Sequence, residues 1–282
     1  MTMKLDLARL PSGTLDPVSD VVGAALQAAP DLRPDDVMLV GAHARDLWHV
    51  SLGHETKTRP THDIDLAIAL ASWDSYKALT SAFSAMGSNQ IRYRIAGIDV
   101  DLLAFGEVED PVGVVTPPPR TDGVSVWAFD EIYNAAAPLD LGLAGAIRLP
   151  TPSGYAAAKL AAWLDRSAYG EFKDAQDIGV VLSWYSDSAE VSDSLYETEA
   201  GNEVLATEEY DSTLAAAHWL GRDVGILIGA ERTAELVERW PGDKQNLGAY
   251  LGLAFAPTSS PEHRRRQERI DALSRGIGHA LT

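Results

Sequence analysis

Between residues 58 and 70 the chain reads Thr-Arg-Pro-Thr-His-Asp-Ile-Asp-Leu-Ala-Ile-Ala-Leu, and this stretch restricts the fold more than any other. An apolar run with acidic residues two apart has the period of a strand, whose successive side chains point to opposite faces. Asp63 and Asp65 therefore share one face, and Ile64, Leu66 and Ile68 share the other. Two carboxylates held this close repel each other unless a cation lies between them, and a hard, oxygen-seeking ion such as Mg²⁺ is the usual partner. An acidic pair on an exposed strand edge is also compatible with a plain solvated face, so the neighbouring segments have to decide.

Upstream, the apolar strand Val37-Met38-Leu39-Val40 ends in the small-residue turn Gly41-Ala42 and runs into a helix expected over residues 42–52. Strand, tight turn and helix N-terminus together make a place for phosphate. Downstream, Gly97-Ile98-Asp99-Val100-Asp101-Leu102-Leu103 repeats the acidic alternation, with Asp99 and Asp101 on one face. Three acidic side chains on neighbouring strands beside a glycine turn are what two-metal phosphoryl transfer needs. Spacing leaves open whether Asp99 or Asp101 is the third ligand; Asp101, followed directly by Leu102-Leu103, is favoured.

Gly41-Ala42, Thr61-His62-Asp63-Ile64-Asp65 and Asp99 with Asp101 resemble the glycine turn, paired aspartates and third carboxylate of the DNA polymerase β-like nucleotidyltransferase superfamily. Lys159-Leu160-Ala161-Ala162-Trp163-Leu164-Asp165-Arg166 and Lys173-Asp174-Ala175-Gln176-Asp177 resemble the later motifs of the AbiEii/MenT nucleotidyltransferase toxins. The resemblance spans residues 37–182. It implies an α/β (α+β) nucleotidyltransferase head with a mixed sheet, followed by an all-helical C-terminal domain. It further implies Mg²⁺, or Mn²⁺ in its place, on Asp63, Asp65 and Asp101 or Asp99, and a nucleotide on Gly41, Ala42, Thr61 and Lys159. Asp174 would orient or deprotonate the attacking hydroxyl.

The activity so implied is transfer of a nucleoside monophosphate from an NTP to an acceptor, the 3′ end of tRNA, by the toxin of a toxin–antitoxin system with a cognate antitoxin as partner. The alternatives are a small-molecule nucleotidyltransferase of the aminoglycoside type and a catalytically inactive nucleotide-binding module. The intact carboxylates and Lys159 argue against the inactive module. One departure stands out: Gly41-Ala42 replaces the superfamily's Gly-Ser or Gly-Gly, so a phosphate-touching hydroxyl is missing and backbone N–H groups would have to serve.

A formal net charge of −18 argues against broad electrostatic binding of nucleic acid, so any such contact is local. Lys57, Arg59, Arg166 and the cluster His263-Arg264-Arg265-Arg266 with Arg269 are the cationic candidates. There is no cysteine, hence no disulfide, which fits a cytoplasmic protein. No apolar run approaches membrane-spanning length and no charged-then-apolar leader is seen, so neither membrane insertion nor secretion is expected.

Pro150-Thr151-Pro152 suggests a boundary between domains 1–150 and 151–282. Before it, helices are expected over 16–29 and 73–86, and strands over 90–96 and 142–150. After it, helices are expected over 154–167, 171–186, 203–220, 222–240, 244–254 and 261–280. Lys159 and Arg166 are seven apart, two helical turns, and present one cationic face. Asp174 and Asp177 share a face of the next helix. Residues 187–211 are acidic, without Lys or Arg, and read as a solvated or mobile face that could instead receive a cationic partner. His43, His49, His54, His62 and His218 lack metal-ligand or triad spacing and read as structural.

Overall fold

The computed structural model describes residues 3–281. The chain forms two compact units, one of residues 6–150 and the other of residues 151–281 together with residues 3–5. The first is a mixed α/β unit and the second is helical.

In the first unit, α1 (Asp16–Ala28) precedes β1 (Val37–Val40), α2 (Gly41–Ser51), β2 (Asp63–Leu70) and α3 (Trp73–Ser81). Then come β3 (Ser84–Ala85), β4 (Arg92–Ile95), β5 (Ile98–Gly106), β6 (Val114–Val115), β7 (Val124–Ser125), α4 (Phe129–Ala135), β8 (Ala137–Asp140) and β9 (Ala146–Leu149). Seven strands make one mixed sheet in the order β3-β4-β5-β2-β1-β9-β8, and β6 pairs with β7. β2 runs parallel to β5 and antiparallel to β1, so the acidic strand lies inside the sheet rather than at its edge.

All four residues of β1 are buried, whereas β2 alternates only in its first half: Asp63 and Asp65 are part-exposed around buried Ile64, and Leu66, Ala67 and Ile68 are buried in succession. A strand interior to a sheet and covered on both faces reads as a continuous apolar run. The alternation at the start of β2 therefore marks the place where one face is uncovered. β1 passes into α2 without a loop because Gly41 takes φ +67°, a conformation that costs a residue with a Cβ. Trp48 of α2 is buried and donates from Nε1 to the Pro150 carbonyl at 2.7 Å.

The second unit contains α5 (Pro152–Arg166), α6 (Lys173–Asp187), α7 (Ala189–Glu197), α8 (Glu199–Thr207), α9 (Ser212–Arg239), α10 (Lys244–Tyr250) and α11 (Pro261–His279). Thr151 caps α5 by accepting from the Gly154 N–H at 3.1 Å, Pro152 opens that helix, and Ser260 caps α11 by accepting from the His263 N–H at 3.1 Å. α9 and α11 pack backbone to backbone: a Cβ on Gly276 would lie 1.9 Å from the His218 carbonyl oxygen, and one on Gly221 would lie 2.2 Å from that of Leu273. Among the described residues no helix is long and apolar enough to cross a membrane.

Several expected elements shift. The helix expected to reach residue 86 stops at Ser81, and Ser84–Ala85 becomes an edge strand on β4. The strand expected over 142–150 is shorter, and it is the second arm of a hairpin, β8–β9, turned at Gly142 and Gly145. Helix α4 has no counterpart in the reading. The break expected near residue 221 lies instead at Gly229 (φ 76°, ψ 170°), where Thr233 Oγ1 donates to the Gly229 and Gly225 carbonyls at 2.7 and 3.2 Å. Gly221 remains helical because its missing Cβ admits α11. Residues 187–211 carry α7 and α8, and Asp187, Asp193, Glu197, Glu199, Glu203 and Glu209 are exposed, as a solvated acidic face requires; the exceptions are Glu208, buried against His218 and Arg275, and Asp211, which caps α9 and pairs with Arg265.

Candidate functional site

The register of β2 on β5 sets Asp63 opposite Asp99 and Asp65 opposite Asp101. In a parallel pair, residues in register point to the same side of the sheet, so four carboxylates occupy one face of two adjacent strands. Asp65 is also in register with Val40, the last residue before the Gly41 turn. A Cβ built on Gly41 would lie 2.0 Å from Asp65 Oδ2, so the Asp65 carboxylate rests directly on the Gly41 main chain at the start of α2. The glycine serves two ends: it permits the positive φ, and it leaves room for the carboxylate.

The charge of this face is balanced by Arg92, on β4 and in register with Asp101. Its Nε donates to Asp101 Oδ1 at 2.7 Å and its Nη2 to Asp101 Oδ2 at 2.8 Å, while Nη2 also reaches Asp63 Oδ2. This is a two-pronged guanidinium–carboxylate pair with an added arm to the neighbouring strand. Hydrogen bonding to Asp101 is the chief reason that the Arg92 pKa stands above its ordinary value. At Asp63 burial works against the charged form, yet hydrogen bonds from Thr61 Oγ1 at 2.6 Å and from the main chain, with the Arg92 charge, hold the carboxyl below the usual range. Arg94, two residues along β4 and in register with Asp99, pairs with it at 2.8 Å. Each of the two candidates for the third carboxylate is thus paired with an arginine of β4: Asp101, level with Asp65, with Arg92, and Asp99, level with Asp63, with Arg94.

Two side chains support this face. His43, in the first turn of α2, bonds to the Asp63 main chain, and burial above all lowers its pKa, so the ring is neutral. Arg45 is fully buried and donates to the Arg59 carbonyl at 2.5 Å, to Asp46 Oδ1 at 2.8 Å and to Thr58 Oγ1 at 3.4 Å. It thereby fastens the loop that leads into β2. Neither Arg92 nor Arg45 was singled out from the sequence.

Lys159 and Asp174 lie in the other unit, where they meet each other. Lys159 Nζ is 3.2 Å from Asp174 Oδ1 and 2.7 Å from Asp177 Oδ2, and it lies over the Tyr155 ring at 5.4 Å. Arg166 Nη1 reaches Asp174 Oδ2 at 3.4 Å. Burial disfavours the Lys159 ammonium, but Tyr155, Asp177 and Asp174 outweigh it and raise the pKa. Asp174 and Asp177 are 0% and 1% exposed, so the face they share on α6 is a covered one. The presumed cationic face of Lys159 and Arg166 is turned onto them.

The C-terminal basic cluster is likewise engaged within its own unit. His263 is buried and bonded to the Gln245 carbonyl, and Arg266 is buried and donates to the Ala249 and Ala254 carbonyls at 3.1 and 3.0 Å. Arg265 pairs with Asp211 at 2.7 Å and with Glu268 at 3.1 Å. Arg264 is the exposed member of the run. Searches against models of known protein families and against curated proteins find no match for the chain.

Proposed function

We propose that the chain is a metal-dependent nucleotidyltransferase whose reaction centre is the carboxylate face of β2 and β5. The observation that carries this reading is the register that sets Asp65 level with both Asp101 and the Gly41 turn, with a cation already seated between Asp63 and Asp101. The donor set suits Mg²⁺ or Mn²⁺: every group is a carboxylate oxygen, and the guanidinium of Arg92 is a stand-in for a cation at the place where one would bind. Asp63, Asp65 and Asp101 are the residues that would hold the metal. When bound, it would polarise the phosphate and offset the charge that develops on it.

The chain's own residues do the rest. A triphosphate would lie against the Gly41-Ala42 turn, where α2 begins directly after β1 and offers main-chain N–H groups and the positive end of its dipole. The acceptor hydroxyl would attack the α-phosphorus as the bond to the β-phosphate oxygen breaks, giving a nucleotidyl ester and pyrophosphate. Positioning and charge compensation supply most of the rate in such transfers. Lys159 and Asp174 enter on the strength of the motif resemblance, as a nucleotide-binding lysine and a hydroxyl-orienting carboxylate. Their mutual pairing means that a phosphate would have to compete with Asp177 for the Lys159 ammonium.

For the acceptor, the resemblance favours the 3′ end of tRNA and, with it, a toxin with a cognate antitoxin. A second reading has its own support: the net charge of −18 and the internal use of Arg265 and Arg266 leave little cationic surface for a phosphate backbone and favour a cationic small acceptor such as an aminoglycoside. Incubating the protein with each α-labelled NTP and Mg²⁺, with tRNA in one series and aminoglycosides in another, tests both. Label on either acceptor, lost in Asp63→Asn and Asp65→Asn proteins of native circular dichroism, is expected; equal labelling by those variants would remove the metal-ligand assignment.

A further inference from the structure

We propose that Arg92 is a built-in counter-cation that closes the carboxylate face and is displaced when a divalent metal binds. This rests on the reading of Asp63, Asp65 and Asp101 as metal ligands.

The case begins with how the guanidinium is held. Arg92 spans two strands, gripping Asp101 with two donors and Asp63 with a third contact, whereas Arg94, two residues along the same strand, pairs with Asp99 and donates to the Gly97 carbonyl. Both carboxylates that Arg92 holds are in the proposed ligand set, and the one that Arg94 holds, Asp99, lies outside that set. Among the described residues no three acidic or imidazole groups converge on one point as metal ligands do. The convergence is instead on the guanidinium, which satisfies the same lone pairs that a metal would use.

The bond is also releasable. The Arg92 side chain is 32% exposed and its Asp63 and Asp101 partners are 30% and 14% exposed, so the guanidinium can move into water without leaving a hole in the core. A divalent ion brings twice the charge to the same oxygens in a smaller radius, and it gains Asp65 as well. Asp63, Asp65 and Asp101 crowded on one face without the Arg92 guanidinium would destabilise the metal-free protein. Arg92 removes that cost before metal arrives and returns it as a competition that the metal must win. A permanent strut would behave differently: its removal would weaken the fold and leave metal affinity unchanged or lower.

The test uses the full chain as wild type, Arg92→Gln and Arg92→Lys, titrated with MnCl₂ and followed by the electron paramagnetic resonance of free Mn²⁺. We expect Arg92→Gln to bind Mn²⁺ about tenfold more tightly, as loss of one adjacent cation warrants, with Arg92→Lys in between because an ammonium cannot bridge both carboxylates. The melting temperature of Arg92→Gln should be lower without metal and should rise further with Mn²⁺ than that of the wild type. In the wild-type protein, which does not depend on any variant folding, saturating Mg²⁺ should shift the ¹⁵Nε resonance of Arg92. Wild-type Mn²⁺ binding with no gain in Arg92→Gln, or an Arg92 resonance that Mg²⁺ leaves in place, would overturn the counter-cation while the metal site stands. No Mn²⁺ binding by wild type or variants of native circular dichroism would overturn the metal site and this inference with it.

Discussion

Replacing Lys159 by Met probes a buried charge cluster, because the side chain of similar length keeps the packing and removes only the ammonium. Two carboxylates lose their partner, but not equally. Asp174 keeps Arg166 at 3.4 Å, whereas Asp177, 1% exposed, loses the ammonium 2.7 Å away. At an effective dielectric constant of about 20 two unit charges 4 Å apart attract by about 4 kcal/mol, so the gross loss is of that order. Breaking a buried pair by removing one member costs roughly 3–5 kcal/mol. For a chain of this size that corresponds to a fall in melting temperature of roughly 6–20 °C. Adding Asp177→Asn to Lys159→Met removes the carboxylate that faced the lost ammonium, so the double variant should lose less than the sum of the singles, with a coupling of about 1–3 kcal/mol. Urea denaturation of the four proteins in the cycle measures it. Additive losses, or a Lys159→Met protein as stable as wild type, would refute the buried cluster. Calorimetric titration of the folded double variant with NTP then isolates any phosphate-binding duty of Lys159 from its structural one.

Three further outcomes follow from the geometry. Gly41→Ala forces a Cβ into a positive φ, costing about 1–2 kcal/mol, and into the Asp65 carboxylate, so it should abolish nucleotide transfer while circular dichroism stays native; full activity would detach the turn from the site. Burial, their leading influence, lowers the pKa of His43, His49 and His218, so the folded chain binds fewer protons than the unfolded one just below the ordinary value of about 6.5. Their contribution is complete above that value and is lost as pH falls, and denaturation midpoints from pH about 7.5 to about 5.5 should decline, less steeply in His218→Gln; a flat profile would contradict this. Arg266→Ala takes the Arg266 donor from the Ala254 carbonyl and one of two donors from that of Ala249, which keeps the Ala256 N–H, and should cost roughly 1–3 kcal/mol, whereas Arg264→Ala, on an exposed side chain, should stay within about 0.5 kcal/mol by thermal melting.

The acidic strand was legible because its information is local: Asp63 and Asp65 bracket a buried isoleucine, and alternation needs no partner to be recognised. The same holds for the apolar strand before Gly41 and for most helices of the second unit. Arg92 was missed although the signal lay in plain sight. Ala96 and Gly97 form a two-residue turn, which aligns Ile95 with Ile98 and, counting back, Arg92 with Asp101. Reading that register would have placed a cation opposite the acidic strand. For Lys159, Asp174 and Asp177 the spacing goes only part of the way: it tells which charges share a face but not whether that face is covered, and here α5 and α6 turn theirs toward each other. The same limit holds for the arginines near the C-terminus, whose partners in α10 and at Asp211 lie far away in sequence.

A cut at 150/151 separates the two compact units except for one short segment. Residues 3–5 belong with residues 151–281, and Met3 is 6% exposed. During synthesis residues 3–5 therefore precede the whole α/β unit and meet their partners only when the helical segment emerges behind it. The α/β unit is an uninterrupted stretch; the helical unit is assembled from two. A fragment starting at Thr151 would lack that piece, and supplying residues 1–5 as a separate peptide is the natural complement to restore it.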